Sequence, residues 1–197
     1  AGMSAAAVIS PMLITFLEME PYTAVGIALA SDVLASAVSA FTYGKNKNLD
    51  IKNGLLMMAM VLLFTIVGSY VSSVVPAQTM GGFSTFMTLI LGIKFIAKPV
   101  MTTKQEMEAV SRKKKIAGSI LCGIFIGFIC GFVGAGGGMM MLLILTSVLG
   151  YELKTAVGTS VFIMTFTALT GSISHFSFGD SPNLLIMMLC ILFTFIW

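Results

Sequence analysis

Charge is scarce in this sequence. Of 197 residues, 10% are charged and 57% are hydrophobic, where an ordinary soluble domain is about 25% charged. So few charges do not cover a water-facing surface. That excludes a soluble enzyme, a nucleic-acid binder and a disordered chain as readings of the whole sequence. Cysteine is also scarce, at three. Cys122, Cys130 and Cys190 lie in apolar runs without a C-x-x-C or Cys/His pattern and read as apolar filler. There is one histidine, and no GxxxxGK[ST] phosphate loop. The apolar runs hold no catalytic pair and no metal-ligand spacing. The chain reads as a non-enzyme without cofactor, metal or nucleic-acid partner.

What is present is length without charge. No Asp, Glu, Lys or Arg occurs between Asn53 and Ile93, between Ile116 and Tyr151, or after Asp180. A bilayer span takes about 20 mostly apolar residues. Spans are predicted at Thr23–Tyr43, Gly54–Val75, Met80–Pro99, Ile116–Val133 and Thr155–Phe176, and Leu184–Trp197 begins another. Ser4–Leu17 and Gly138–Leu149 are shorter and suit broken or re-entrant helices. The sixteen Met residues have no fixed spacing to Cys or His and read as adaptable filler. Lys94 and Lys98 read as snorkelling to headgroups.

An internal repeat organises these runs. Thr23-Ala24-Val25-Gly26 recurs, 132 positions later, as Thr155-Ala156-Val157-Gly158. At that offset Gly2–Gly26 aligns with Gly134–Gly158 without a gap, and eight of 25 positions are identical, Glu20 and Glu152 among them. With a loop shortened by three residues, Gly54–Gly68 then aligns with Asn183–Trp197. The expected organisation is a first transmembrane repeat over 1–101, a linker over 102–115 and a second repeat over 116–197. By the same symmetry about one span is missing at each end, giving an intact length on the order of 250 residues.

Lys and Arg in short loops set orientation. Lys45, Lys47 and Lys52 place the 44–53 loop in the cytoplasm, and Arg112–Lys115 do the same for the linker. The 76–82 loop and Glu18–Pro21 read as external. In the second repeat the signs swap: 150–154 carries Lys154, and 177–183 carries only Asp180. Equivalent loops on opposite faces predict inverted repeats, a plan of secondary transporters. The alternative is a parallel repeat whose short runs do not cross. The fold class is therefore an all-α polytopic transmembrane bundle of two homologous repeats with short broken helices.

The sharpest local feature is Gly131-Phe-Val-Gly134-Ala-Gly136-Gly137-Gly138. Clustered glycines break a membrane helix and free N–H groups that lipid cannot satisfy. Adjacent N–H groups at a helix start form an anion site, reinforced by the helix dipole. Close helix packing through small residues is the alternative. The first repeat has Gly2-Met-Ser4-Ala5-Ala6 in this place, followed by Pro11. Thr159 and Ser160 offer hydroxyls to an oxyanion, or else cap a helix or bond the preceding turn. Asp32 lies halfway along a span. A mid-bilayer acid costs at least about 2.5–3.5 kcal/mol on insertion scales and should face protein or a cavity. It is the candidate proton-coupling carboxyl, or a neutral acid hydrogen-bonded to a neighbouring Ser or Thr. His175, opposite Tyr43 in the repeat, reads as an interfacial residue.

Gly134-Ala-Gly-Gly-Gly138, a short apolar helix, and Gly150-Tyr-Glu-Leu-Lys-Thr-Ala-Val-Gly158-Thr159-Ser160 resemble the TauE/SafE sulfite exporter family. Ser10-Pro11 and Thr23-Ala-Val-Gly26 look like its weaker first copy. The resemblance covers Gly2 to Trp197. It implies two homologous halves that move sulfite, organosulfonates such as sulfoacetate, or related sulfur anions across the cytoplasmic membrane. The chain departs from the family pattern at Ser4-Ala5-Ala6, where the first copy lacks the glycines, and at Leu143, where a Pro usually follows them. The expected function is a secondary transporter for a small sulfur oxyanion, coupled to an ion gradient with H+ as candidate ion. Gly134, Gly136, Gly137, Gly138, Gly2, Ser4, Ala5, Thr159 and Ser160 are the expected binding residues, and one repeat rocks against the other. An anion channel or a non-transporting membrane subunit are the alternatives. Membrane lipid and a second copy in a homo-oligomer are the remaining expected partners.

Overall fold

The computed structural model describes residues 4–76, Phe86, Leu89, Ile93, 112–134, 137–179 and 181–196. Among them are seven helices and no strand. They are α1 (Ala6–Phe16), α2 (Pro21–Lys45), α3 (Ile51–Val74), α4 (Arg112–Val133), α5 (Gly137–Ser147), α6 (Leu153–Phe178) and α7 (Leu184–Ile196). Four of them hold stretches long and apolar enough to cross a membrane: Pro21–Lys45, Gly54–Val74, Ile116–Val133 and Leu153–Phe178. These are the expected spans to within two or three residues. The Met80–Pro99 span, Lys94, Lys98 and most of the linker lie outside the described residues. The linker's last residues, from Arg112, are already the first turn of α4.

Local chemistry sets the helix ends. Pro21 occupies the first turn of α2, where a missing N–H costs nothing. The Glu20 carboxylate accepts from the Tyr22 and Thr23 N–H groups at 3.0 and 2.7 Å. This covers two of the four donors that a helix start leaves unpaired, next to the positive end of the dipole. The chain reaches this cap through Glu18, which has a φ of 48°.

Packing is closest between α3 and α4, and glycine is the reason. Gly123, Gly127 and Gly131 lie one turn apart along one face of α4. A Cβ on each would run into the carbonyl oxygen of Met57, Val61 or Thr65 on α3. From the other side, Gly68 of α3 approaches Phe128 O of α4. Two backbones meet along this seam, which is how membrane helices associate when lipid is as apolar as their side chains. Gly131, at the edge of the predicted break, is therefore a packing glycine.

The main core joins α3 and α4 to α5 and α6, with Met57, Val61, Ile126, Met141, Leu145 and Ile163 each almost fully buried. Apolar side chains also cover the outside: Phe16 is 74% and Phe41 75% exposed. α7 has no buried residue. Such a surface suits hydrocarbon and would be an aggregation liability in water.

Helices α2 and α6 run antiparallel. Gly26 near the start of α2 faces His175 near the end of α6, and Gly158 near the start of α6 faces Tyr43 near the end of α2. The two contacts are related by the same 132-position offset on both partners.

Candidate functional site

The site is built around Asp32, which sits about midway along α2 and is 2% exposed. The Ser4 hydroxyl donates to Asp32 Oδ2 at 2.7 Å, and the Ala5 N–H donates to Oδ1 at 2.9 Å. Both donors belong to the turn that opens α1. A short helix therefore starts at mid-span, and its exposed N–H and positive dipole end meet a carboxyl group. Satisfying an N-terminus this way within apolar surroundings is nearly obligatory, because each unpaired polar group there costs several kcal/mol.

A cavity of about 800 Å³ opens beside this contact. Its polar wall carries Ser4, Asp32, Ser36, Ser39 and Tyr43, and its apolar wall comes from α1, α6 and α7. Ser36 gives its proton to the Asp32 carbonyl oxygen at 2.6 Å. A cavity of this size takes a small ligand or several waters.

The second break is arranged differently. Gly134 has φ 66°, a conformation natural to glycine, and Val25 fills the space where a side chain would go. The Gly134 N–H returns to Cys130 O at 2.8 Å. A Cβ at Gly137 would run into Cys130 Sγ, and Gly138 is buried. The void here is about 10 Å³, at most the space of one water. Met164, the repeat counterpart of Asp32, borders both this void and the large cavity. Gly136 and Gly2 lie outside the described residues.

Thr159 and Ser160 are fully buried and border neither cavity. Thr159 Oγ1 accepts from the Asp50 N–H at 3.1 Å, and Ser160 donates to Val157 O at 2.8 Å. Asp50 also accepts from the Tyr151 hydroxyl at 2.8 Å, so the α2–α3 loop is tied to the start of α6. His175 corrects the interfacial reading. It is 1% exposed, held between two backbone carbonyls and stacked on Tyr22. Its signal in the sequence was the 132-residue offset from Tyr43, since both fill the same place in the α2–α6 pair. No group of three or more potential metal-ligating side chains occurs among the described residues.

Comparison with known proteins places this architecture. The sequence model of the family described as Sulfite exporter TauE/SafE matches residues 1–197. The chain is 28% identical over 177 residues to the probable membrane transporter protein YunE of Bacillus subtilis, covering 83% of this chain and 65% of that protein. It is 31% identical over 154 residues to the probable membrane transporter protein MJ0441 of Methanocaldococcus jannaschii, covering 77% and 55%. The chain thus spans between about half and two thirds of the length of these two relatives. No solved structure matches. A glycine turn after α4, four helices long and apolar enough to cross a membrane, and a family match over residues 1–197 agree: the chain belongs to the TauE/SafE sulfite exporter family and is a membrane protein.

Proposed function

We propose that the chain forms the core of a secondary transporter that moves a small sulfur-containing anion, such as sulfite or an organosulfonate, across the cytoplasmic membrane. The observation that carries this reading is the mid-span start of α1, closed by Asp32 at the wall of an 800 Å³ cavity. The carboxyl group holds the position an oxyanion takes at a helix N-terminus. A proton on Asp32 removes the competing charge. The Ser4 hydroxyl and Ala5 N–H then become available to a substrate oxygen. Proton and anion enter together, which makes H+ the coupling ion. The Gly134–Gly138 segment supplies the second arm in a conformation with its void opened. Thr159 and Ser160 hold the surrounding helices in this reading.

The reciprocal Gly26–His175 and Gly158–Tyr43 contacts support the inverted repeat. Antiparallel helices that exchange equivalent contacts are what a two-fold axis in the membrane plane produces. The linker is cytoplasmic on this orientation.

The test is flux into proteoliposomes holding the full-length protein, with sulfite, thiosulfate, sulfoacetate and sulfate compared under a pH gradient. Saturable, proton-driven movement of one of them supports the reading. Movement of none overturns the substrate, and non-saturating flux without trans-stimulation identifies a channel instead.

A further inference from the structure

His175 is the single histidine of the 197 residues, and its two ring nitrogens face the same kind of partner. Nε2 lies 2.9 Å from Gly131 O, and Nδ1 lies 3.2 Å from Tyr22 O. A carbonyl oxygen only accepts. A neutral imidazole donates from one nitrogen and presents a lone pair at the other. Either neutral tautomer therefore sets a lone pair against a carbonyl oxygen. Only the imidazolium donates at both. We propose that His175 is a proton-binding site, occupied as the imidazolium in this arrangement, and that the bound proton ties the start of α2 to the end of α4.

The surroundings fit a cation. Gly131 O is among the last carbonyls of α4, which form the negative end of its dipole. Two neighbouring carbonyls already have donors: Cys130 O takes the Gly134 N–H at 2.8 Å, and Phe132 O takes the Ser72 hydroxyl at 3.1 Å. His175 serves the one between them. From α2, the Tyr22 ring lies 4.2 Å away between centroids, tilted by 35°, close enough for a cation over an aromatic face. The Tyr22 hydroxyl is directed to Ser69 of α3, at 3.3 Å from both its carbonyl and hydroxyl oxygens. Glu20, the cap of α2, contributes its negative charge to the same region. On α6 itself the remaining charge, Lys154, is at the opposite end of the helix. Burial is the largest influence and works against a charge, while the two carbonyls and Glu20 work for it.

Two elements from different halves are joined by one removable ligand. Removal of the proton leaves one nitrogen with a lone pair toward a carbonyl, and that contact opens. The site is distinct from Asp32, which lies at mid-span, and its occupancy does not depend on what the chain carries.

Solid-state NMR of the full-length protein in lipid bilayers tests this, with 15N in the histidine ring and 13C in the Tyr and Gly carbonyls. At about pH 7 the expected result is two protonated ring nitrogens, each showing magnetisation transfer to a carbonyl carbon, one Tyr and one Gly. Raising the pH then removes one N–H and one transfer together. One bare and one protonated nitrogen at about pH 7 overturns the proposal. The assignment comes from the carbonyl transfers, so no variant has to fold. The His175→Gln protein, whose N–H donors all sit on one nitrogen while its other terminal atom is a carbonyl oxygen, is expected to keep at most one of the two ties. Its flux, if measurable, is expected to lose the high-pH limb of the pH profile. An unchanged profile counts against a role in transport and leaves the NMR result to decide the protonation.

Discussion

The hydroxyl of Ser4 and the carboxyl group of Asp32 meet at 2.7 Å across 28 positions of sequence, at the point where α1 begins. This contact makes Asp32→Asn informative. The amide oxygen still accepts the Ala5 N–H, and its NH2 donates to the Ser4 hydroxyl, which turns to accept, so the contact is kept while the titratable charge is lost. Flux driven by a pH gradient is expected to fall at least tenfold, while downhill anion exchange persists. Gradient-driven flux equal to that of the unaltered protein would falsify the coupling role.

Ser4→Ala removes the side-chain donor and leaves the carboxyl with the Ala5 N–H alone. A hydrogen bond to a charged or buried partner contributes about 1–3 kcal/mol. Thermal unfolding in detergent is expected to shift down accordingly, without loss of helix content by circular dichroism.

Gly134→Ala places a Cβ in a left-handed conformation, which costs roughly 1–2 kcal/mol, and drives it into Val25. Combining it with Val25→Ala relieves the steric part only. The double variant is expected to be more stable than Gly134→Ala alone and less stable than the parent protein. Full additivity in a double-mutant cycle would show that Val25 is not what the new methyl meets.

Gly127→Ala puts a methyl group on the Val61 carbonyl in the middle of the α3–α4 seam. Overpacking of this kind costs about 1–3 kcal/mol. The melting temperature is expected to drop further than for Gly118→Ala, whose Cβ meets only the Leu149 side chain.

Topology has its own check. With inverted repeats, a cysteine at Lys47 reacts with impermeant maleimide from the cytoplasmic side, and one at Ser181 reacts from the external side. The native cysteines are first replaced by Ala or Ser. Labelling of both from the same side excludes the inverted arrangement.

Much of the fold was legible because the signal was one-dimensional. A span is a count of apolar residues between charges, and Pro21 with Glu20 marks the start of α2 by local rules alone. Asp32 was legible as an anomaly, since a mid-span acid needs an explanation whatever surrounds it. That a Ser or Thr would meet it was legible too, but not that the residue is Ser4, because the pairing depends on how α1 is rotated and how deep its first turn lies. Thr159 and Ser160 illustrate the same limit. Their hydroxyls are spaced for an oxyanion, yet each is bonded to nearby backbone, and no spacing rule tells the two uses apart. The glycines in and just after α4 carried two meanings in one stretch: Gly123, Gly127 and Gly131 for helix contact, Gly134 for the turn. Only the partner backbone separates them. His175 escaped because helices that are apolar on every side give no periodicity from which a buried face can be read.

The glycine seam also bears on mechanics. α3 belongs to the first half of the sequence and α4 to the second, and their backbones are in direct contact at Gly68, Gly123, Gly127 and Gly131. Interfaces this close do not slide without losing contacts along their whole length. Moving α3 relative to α4 would open these backbone contacts along the whole seam. Any conformational change is therefore expected to carry α3 and α4 together as one body.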